Sequence, residues 1–182
     1  LIGLLEEGIF DADNSYDLKR TTPTIPAASS LKKTFDGHVS PYDSKEGTRY
    51  IGGAIGHVIK SHVNGIHVDG YVTGNGNYTG GVIGFVSFDN DLVVDDCSFA
   101  GTLTAANYAG GVVGEIEKRG KVQECINYGT VTGADNFGGI VGHMQYSSAE
   151  PYVNYCVNLG NVTGCNFVGG VVGGMSGNDD TD

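Results

Sequence analysis

The sequence predicts an all-β fold, a parallel β-solenoid of about five coils of ~29 residues with an N-terminal cap. Three observations carry that prediction. Glycine supplies 31 of the 182 residues, about 17% against a usual ~7%. One glycine-bracketed phrase returns five times at almost constant spacing. The runs between are rich in valine, isoleucine and threonine, and no 3.6-residue apolar stripe of helical length is present.

The five phrases are "YIGGAIG" from Tyr50, "YTGGVIG" from Tyr78, "YAGGVVG" from Tyr108, "FGGIVG" from Phe137 and "FVGGVVG" from Phe167. Their closing glycines, Gly56, Gly84, Gly114, Gly142 and Gly173, lie 28, 30, 28 and 31 residues apart, and the fourth phrase reads as lacking its spacer. A second phrase follows each of the first four and aligns without a gap: "VNGIHVDGYVTG", "VDDCSFAGTLTA", "VQECINYGTVTG" and "VNYCVNLGNVTG". Reading down gives apolar columns of Val63, Val94, Val122 and Val153, of Ile66, Cys97, Cys125 and Cys156, and of Val72, Leu103, Val131 and Val162.

A unit of this length holds two or three strands of four to seven residues and cannot bury its apolar face alone; stacked on its neighbours, it can. Coils stacked ~4.8 Å apart make five coils a rod only ~24 Å long, with like residues in ladders along the axis. Glycine fits the corners, where a positive φ or a missing Cβ is needed at the same place in every coil. The paired aliphatics of each phrase are expected to alternate, one in and one out, with the preceding aromatic closing the corner.

Residues 1–48 do not repeat and read as an N-terminal cap, in which "LIGLLEEGIF" is a short amphipathic helix or a first strand and "TTPTIPAASS" a turn-rich connection. Residues 49–182 hold the repeats. A cap answers the unpaired backbone and apolar side chains that an open solenoid end presents. The fifth phrase stops before a second strand segment, which reads either as a truncation, the favoured reading, or as a larger parent protein continuing from there.

"GGVVG" followed by "CINYGTVTG", and "GGIVG" followed by "CVNLGNVTG", resemble the GLUG motif of bacterial secreted and cell-surface proteins, over about residues 49 to 174. "TFDGHV" at Thr34 to Val39 is similar to a shortened form of the segment that often precedes such repeats. The resemblance implies right-handed β-helical modules of adhesins, wall-anchored proteins and some surface metallopeptidases. It also implies an extracellular or cell-surface location and a scaffold or adhesion role, with no catalytic residues to carry over.

Composition narrows the partners. There are 21 acidic against 10 basic residues, a net charge of −11 and a pI near 4.6, which argues against nucleic acid. Lys118, Arg119 and Lys121 read as a solvated turn. No apolar run approaches the ~20 residues of a membrane span. The expected partners are a host or cell-surface protein or a glycan, with end-to-end or edge self-association as a further possibility.

Signatures of chemistry are missing. The sequence has no His-Glu-x-x-His, Cys-x-x-Cys or Gly-x-Ser-x-Gly, and "GEIEKRGKV" fails as a phosphate loop because five residues precede its Gly-Lys. Stacked Cys97, Cys125 and Cys156 read as a ladder of buried thiols, with Cys165 the uncertain fourth and a Cys156–Cys165 bridge the alternative. His57 and His143 share a column three coils apart, too far for one ion, while His62, His67 and Asp69 share a coil and are weighed as a chance metal site.

The acidic pairs Asp89 and Asp91, Asp95 and Asp96, and Asp179 and Asp180 do not recur each coil as calcium repeats would. Asp96 and Glu124 fall in neighbouring coils and are the one carboxylate pair that a polysaccharide-degrading β-helix could use. Tyr71, Asn75, Tyr128, Tyr146, Tyr152 and Tyr155 form a candidate sugar- or protein-binding strip. No catalytic, cofactor-binding or metal-binding residue is assigned. The function read from the sequence is a noncatalytic structural or adhesive module; the alternatives are a carbohydrate-binding or polysaccharide-degrading β-helix, or an accessory domain of a larger surface metallopeptidase.

Overall fold

A computed structural model describes residues 2–6, 9–11, 34–39, 50–75, 78–88, 93–146 and 151–177. Every regular element among them is a strand. The first strands are β1 (Ile2–Glu6), β2 (Ile9–Asp11) and β3 (Thr34–Val39). The first coil holds β4 (Tyr50–Gly52), β5 (Ile55–Ile59), β6 (His62–Asn64) and β7 (His67–Gly74). In the second, β8 (Tyr78–Gly80), β9 (Ile83–Phe88) and β10 (Val93–Asp95) lead into a divided fourth side, β11 (Ser98–Phe99) and β12 (Thr102–Ala105).

The third coil repeats this with β13 (Asn107–Gly110), β14 (Val113–Lys118), β15 (Lys121–Gln123), β16 (Ile126–Asn127) and β17 (Thr130–Thr132). The fourth has β18 (Asp135–Gly138), β19 (Val141–Tyr146), β20 (Tyr152–Asn154), β21 (Val157–Asn158) and β22 (Val162–Thr163). Then β23 (Asn166–Gly169) and β24 (Val172–Gly177) begin a fifth. The molecule is a β-solenoid of four complete turns, where five were expected, because the last phrase supplies only half a turn.

Like strands pair in parallel to make four sheets. Sheet I stacks β4, β8, β13, β18 and β23; sheet II stacks β1, β5, β9, β14, β19 and β24. Sheet III stacks β2, β6, β10, β15 and β20; sheet IV contains β3, β7 and the divided strands. The registers are those the repeat predicts: Val63, Val94, Val122 and Val153 are direct partners, as are Val72, Leu103, Val131 and Val162. Val63, Val94, Val122, Leu103 and Val131 are fully buried, and removing a valine or leucine from water stabilises by about 1.5–3 kcal/mol.

Each turn has four short sides rather than two or three longer strands, because the chain bends twice where a single strand was read. One bend overturns the expected alternation in the glycine phrase. Val82 and Ile83, Val112 and Val113, and Ile140 and Val141 are all fully buried. The reason lies in the hydrogen bonds: consecutive amides share one carbonyl of the next coil. Both Val82 and Ile83 donate to Val112 O, at 3.1 and 2.9 Å, and both Val112 and Val113 donate to Ile140 O, at 3.0 and 2.9 Å. This two-on-one pairing breaks the pleat, so both side chains face the core. The fold-back also explains the first glycine of each pair, since a Cβ on Gly80 would stand 1.8 Å from Ile83 O.

The fourth phrase has its spacer after all. Ala109, Phe137 and Val168 are direct partners, so Phe137 fills the spacer column and Asn136 the column of the aromatics. Tyr108, Asn136 and Phe167 stand there with φ of 47°, 58° and 50°. A second left-handed column, between sheets III and IV, holds Gly65 (φ 70°), Asp96 (46°), Glu124 (53°) and Tyr155 (51°).

"LIGLLEEGIF" forms strands, not a helix: β1 lies on β5 and β2 on β6, and β3 runs beside β7 from Thr34 against His67 to Val39 against Val72. "TTPTIPAASS" lies outside the described residues. At the other end, Val153, Val162 and Val172 are only partly buried, and Leu159, Phe167 and Met175 are 66%, 69% and 63% exposed. Among the described residues, no helix is long and apolar enough to cross a membrane.

Candidate functional site

A groove runs along the stacking axis on sheet IV, where stacked glycines replace side chains. Its floor is Gly70, Gly101 and Gly129. These backbones pack so closely that a Cβ on Gly101 would lie 1.9 Å from Gly70 O, and one on Gly129 would lie 2.4 Å from Gly101 O. One rim carries Tyr71, Thr102 and Thr130, partners in register; the other carries Asp69, Ala100 and Tyr128. The groove is open to solvent and has a volume of about 380 Å³.

The floor is held from below. Asn127, fully buried, accepts from Gly129 N at 2.9 Å through Oδ1 and donates through Nδ2 to Gly129 O at 3.3 Å and to Asn158 Oδ1 at 2.8 Å. Asn158 repeats the bracket on Gly160. One coil earlier the column holds Phe99, whose ring fills the same space under Gly129. Tyr71 and Tyr128 rise from opposite rims, 63% and 53% exposed, two coils or about 10 Å apart along the axis. Hydroxyls, one carboxylate and two ring faces line this groove, which brings no acid and base together.

A second cluster links sheets I and II. Glu115, 2% exposed, places Oε2 at 3.3 Å from His143 Nδ1, and His143 Nε2 lies 3.2 Å from Ser176 Oγ. Burial pushes the Glu115 carboxyl above the usual carboxylate range, although the hydrogen bond and charge of His143 pull it down. Tyr50, Tyr78 and Tyr108 stack beside it, with ring centroids 5.7 and 5.3 Å apart, and Phe85 packs 4.6 Å from Tyr50. Tyr78 is pushed up to about 12 by burial first and by Glu115 second. With Tyr108 edge-on to His143 at 5.2 Å, the Glu-His-Ser series ties β14, β19 and β24 together. The sequence reading missed Glu115, although it occupies the same column as His57 and His143.

The other predicted residues take structural places. Asp96 and Glu124 are neighbours in one column, but both are exposed and both are the left-handed corner residues of sheet III to sheet IV. His57 and His143 are separated by Phe85 and Glu115. His62 Nδ1 accepts from Val93 N at 3.3 Å, and His67 Nδ1 lies 2.8 Å from Ser98 Oγ, so each joins the next coil. Among the described residues, no group of three or more His, Cys, Asp and Glu is placed to hold one ion. Asp89, Asp91, Asp179 and Asp180 lie outside the described residues. Lys118 and Arg119 are exposed at a turn, where Lys118 has φ 62°.

The thiol ladder is present. Cys97 and Cys125 are buried, Cys156 is half-buried, and each thiol donates to the carbonyl two residues earlier, at 3.1, 3.0 and 3.3 Å. Cys165 is exposed, and it and Cys156 are both free, so the alternative bridge is not formed. The Cys156 thiol is pushed up by its contact with Cys125 and by burial. Of the candidate tyrosine strip, Tyr71 and Tyr128 both line the groove, while Tyr155 stands apart on the corner column. Set against known protein families, curated proteins and solved structures, the chain matches none.

Proposed function

We propose that this chain is a noncatalytic repeat module of the GLUG type, a rigid spacer of a bacterial secreted or cell-surface protein that carries an adhesive surface. One observation supports the reading most: the parallel register runs without slippage through four sheets. Every inward column is thereby committed to the core, and the outward columns are left to vary. The left-handed corner placement of Asp96 and Glu124 favours this reading over a polysaccharide-degrading one, because it assigns both carboxylates to the turn.

Treating intact source cells with a membrane-impermeant amine label tests it. The chain is expected to be labelled as fully in intact cells as in broken ones. Labelling only after lysis would overturn the surface assignment.

A further inference from the structure

We propose that the groove over Gly70, Gly101 and Gly129 binds three consecutive rings of a neutral oligosaccharide, the first stacked on Tyr71 and the third on Tyr128. The inference rests on the noncatalytic surface-module reading and names the ligand class that such a surface takes.

The lining decides the chemistry. An apolar ligand needs a mainly hydrophobic wall, whereas this groove offers Thr102, Thr130 and Asp69 around its glycine floor, with Ala100 small between them. Its only large apolar surfaces are two tyrosine rings, both more than half exposed. A pyranose is built the same way, with C–H faces that lie on an aromatic ring and hydroxyls around its edge. The tyrosine rings stand about 10 Å apart along the axis, the separation of the first and third of three consecutive pyranose rings, and the open groove of about 380 Å³ between them takes the middle one.

Other occupants fit less well. A peptide added as a strand needs an open row of backbone groups, but the groove crosses strands whose amides and carbonyls already serve the next coil, as in Thr130 N to Gly101 O at 2.9 Å and Tyr128 N to Phe99 O at 2.7 Å. A polyanionic glycan meets Asp69 and a net charge of −11. The brackets from Asn127 and the ring of Phe99 fix the floor before any ligand arrives, which reduces the ordering cost of binding.

The chain has 10 tyrosines and no tryptophan, so tyrosine emission reports binding directly. The whole chain is titrated with cellohexaose, maltohexaose and mannohexaose, with polygalacturonate as the acidic comparison, and affinity is confirmed by calorimetry. At least one neutral hexasaccharide is expected to bind. Tyr71→Ala and Tyr128→Ala each weaken it about tenfold or more, while Tyr71→Phe and Tyr128→Phe retain it. Tyr155→Ala, away from the groove, leaves it unchanged.

All of these side chains are exposed, so unchanged melting curves show that the variants fold. No binding by any neutral probe, binding indifferent to both alanine variants, or preference for polygalacturonate would each overturn the proposal. Release of reducing ends from a bound hexasaccharide would overturn the noncatalytic reading and leave the groove assignment standing; failure of the cell-labelling experiment would do the same to the surface assignment.

Discussion

The buried carboxylate of Glu115 lies 3.3 Å from Nδ1 of His143, its partner one coil further along sheet II. Glu115 stands where the first two coils carry His57 and Phe85, and burial outweighs His143 in setting its affinity for a proton. The folded chain therefore holds this proton at pH values where the unfolded chain, with an ordinary glutamate near 4.3, has released it.

The sign follows from linkage. Between the unfolded value and the raised folded value the native state binds more protons, so stability falls as pH rises through that window. Glu115→Gln removes the titration. The melting temperature of the parent minus that of Glu115→Gln is expected to decrease from about pH 4 toward neutral, as read by thermal unfolding in matched buffers. A difference independent of pH would show that the carboxyl is not raised.

Val122 and Val131 are fully buried in two different sheets. Val122→Asp or Val131→Asp places an unpaired charge between three coils and is expected to cost about 4 kcal/mol or more, roughly 10 °C in melting temperature. Thr104→Asp, on an exposed outward position one residue past the column of Val131 in the repeat, should stay within about 0.5 kcal/mol of the parent. Equal melting of the inward and outward variants would refute the assigned faces.

Thr79 is fully buried, and its Oγ1 has no hydrogen-bond partner among the described residues. Its neighbours in the column are Ile51 and Ala109. Thr79→Val keeps the shape and removes the unsatisfied hydroxyl, so stability should rise by about 1 kcal/mol or more, visible as a higher midpoint in urea. A fall in the midpoint would show that the hydroxyl is satisfied.

Thiol accessibility separates the cysteines. Cys165 is exposed, whereas Cys97 and Cys125 are buried, and the raised thiols of Cys125 and Cys156 stay protonated. With an aromatic disulfide reagent at mild alkaline pH, one equivalent should react quickly and be lost in Cys165→Ser, with all four reacting after denaturation. Rapid reaction of Cys125 in the native chain would contradict the ladder.

The inward columns were legible because burial and stacking act on the same residues: Val63, Val94, Val122 and Val153 must match both the core and one another. The thiol ladder was legible for the same reason, a small apolar side chain recurring beneath Ile66. The corners were not. Left-handed backbone is associated with glycine and asparagine, yet Asp96, Glu124 and Tyr155 adopt it because stacking on Gly65 fixes the corner in every coil.

The shared carbonyls at the glycine phrase were equally hidden, since an alternating pattern presumes an unbroken pleat. Glu115 was passed over because its neighbours in sequence resemble a polar turn; only its partner His143, 28 residues on, shows it to be inside. The groove was half legible. Tyr71 and Tyr128 stood out as exposed aromatics, but their pairing across a glycine floor depends on two coils' worth of register.

Not every side of the square is equally fixed in length. From sheet I to sheet II the chain always advances four residues, as from Ile51 to Ile55 or Phe137 to Val141, and from sheet III to sheet IV always nine, as from Val63 to Val72 or Val122 to Val131. From sheet II to sheet III it takes eight residues from Ile55 to Val63, eleven from Ile83 to Val94, nine from Val113 to Val122 and twelve from Val141 to Val153. The architecture thus concentrates its tolerance for extra chain at one edge, so that additional residues can accumulate there while the groove, on the opposite side of the invariant spans, keeps its shape.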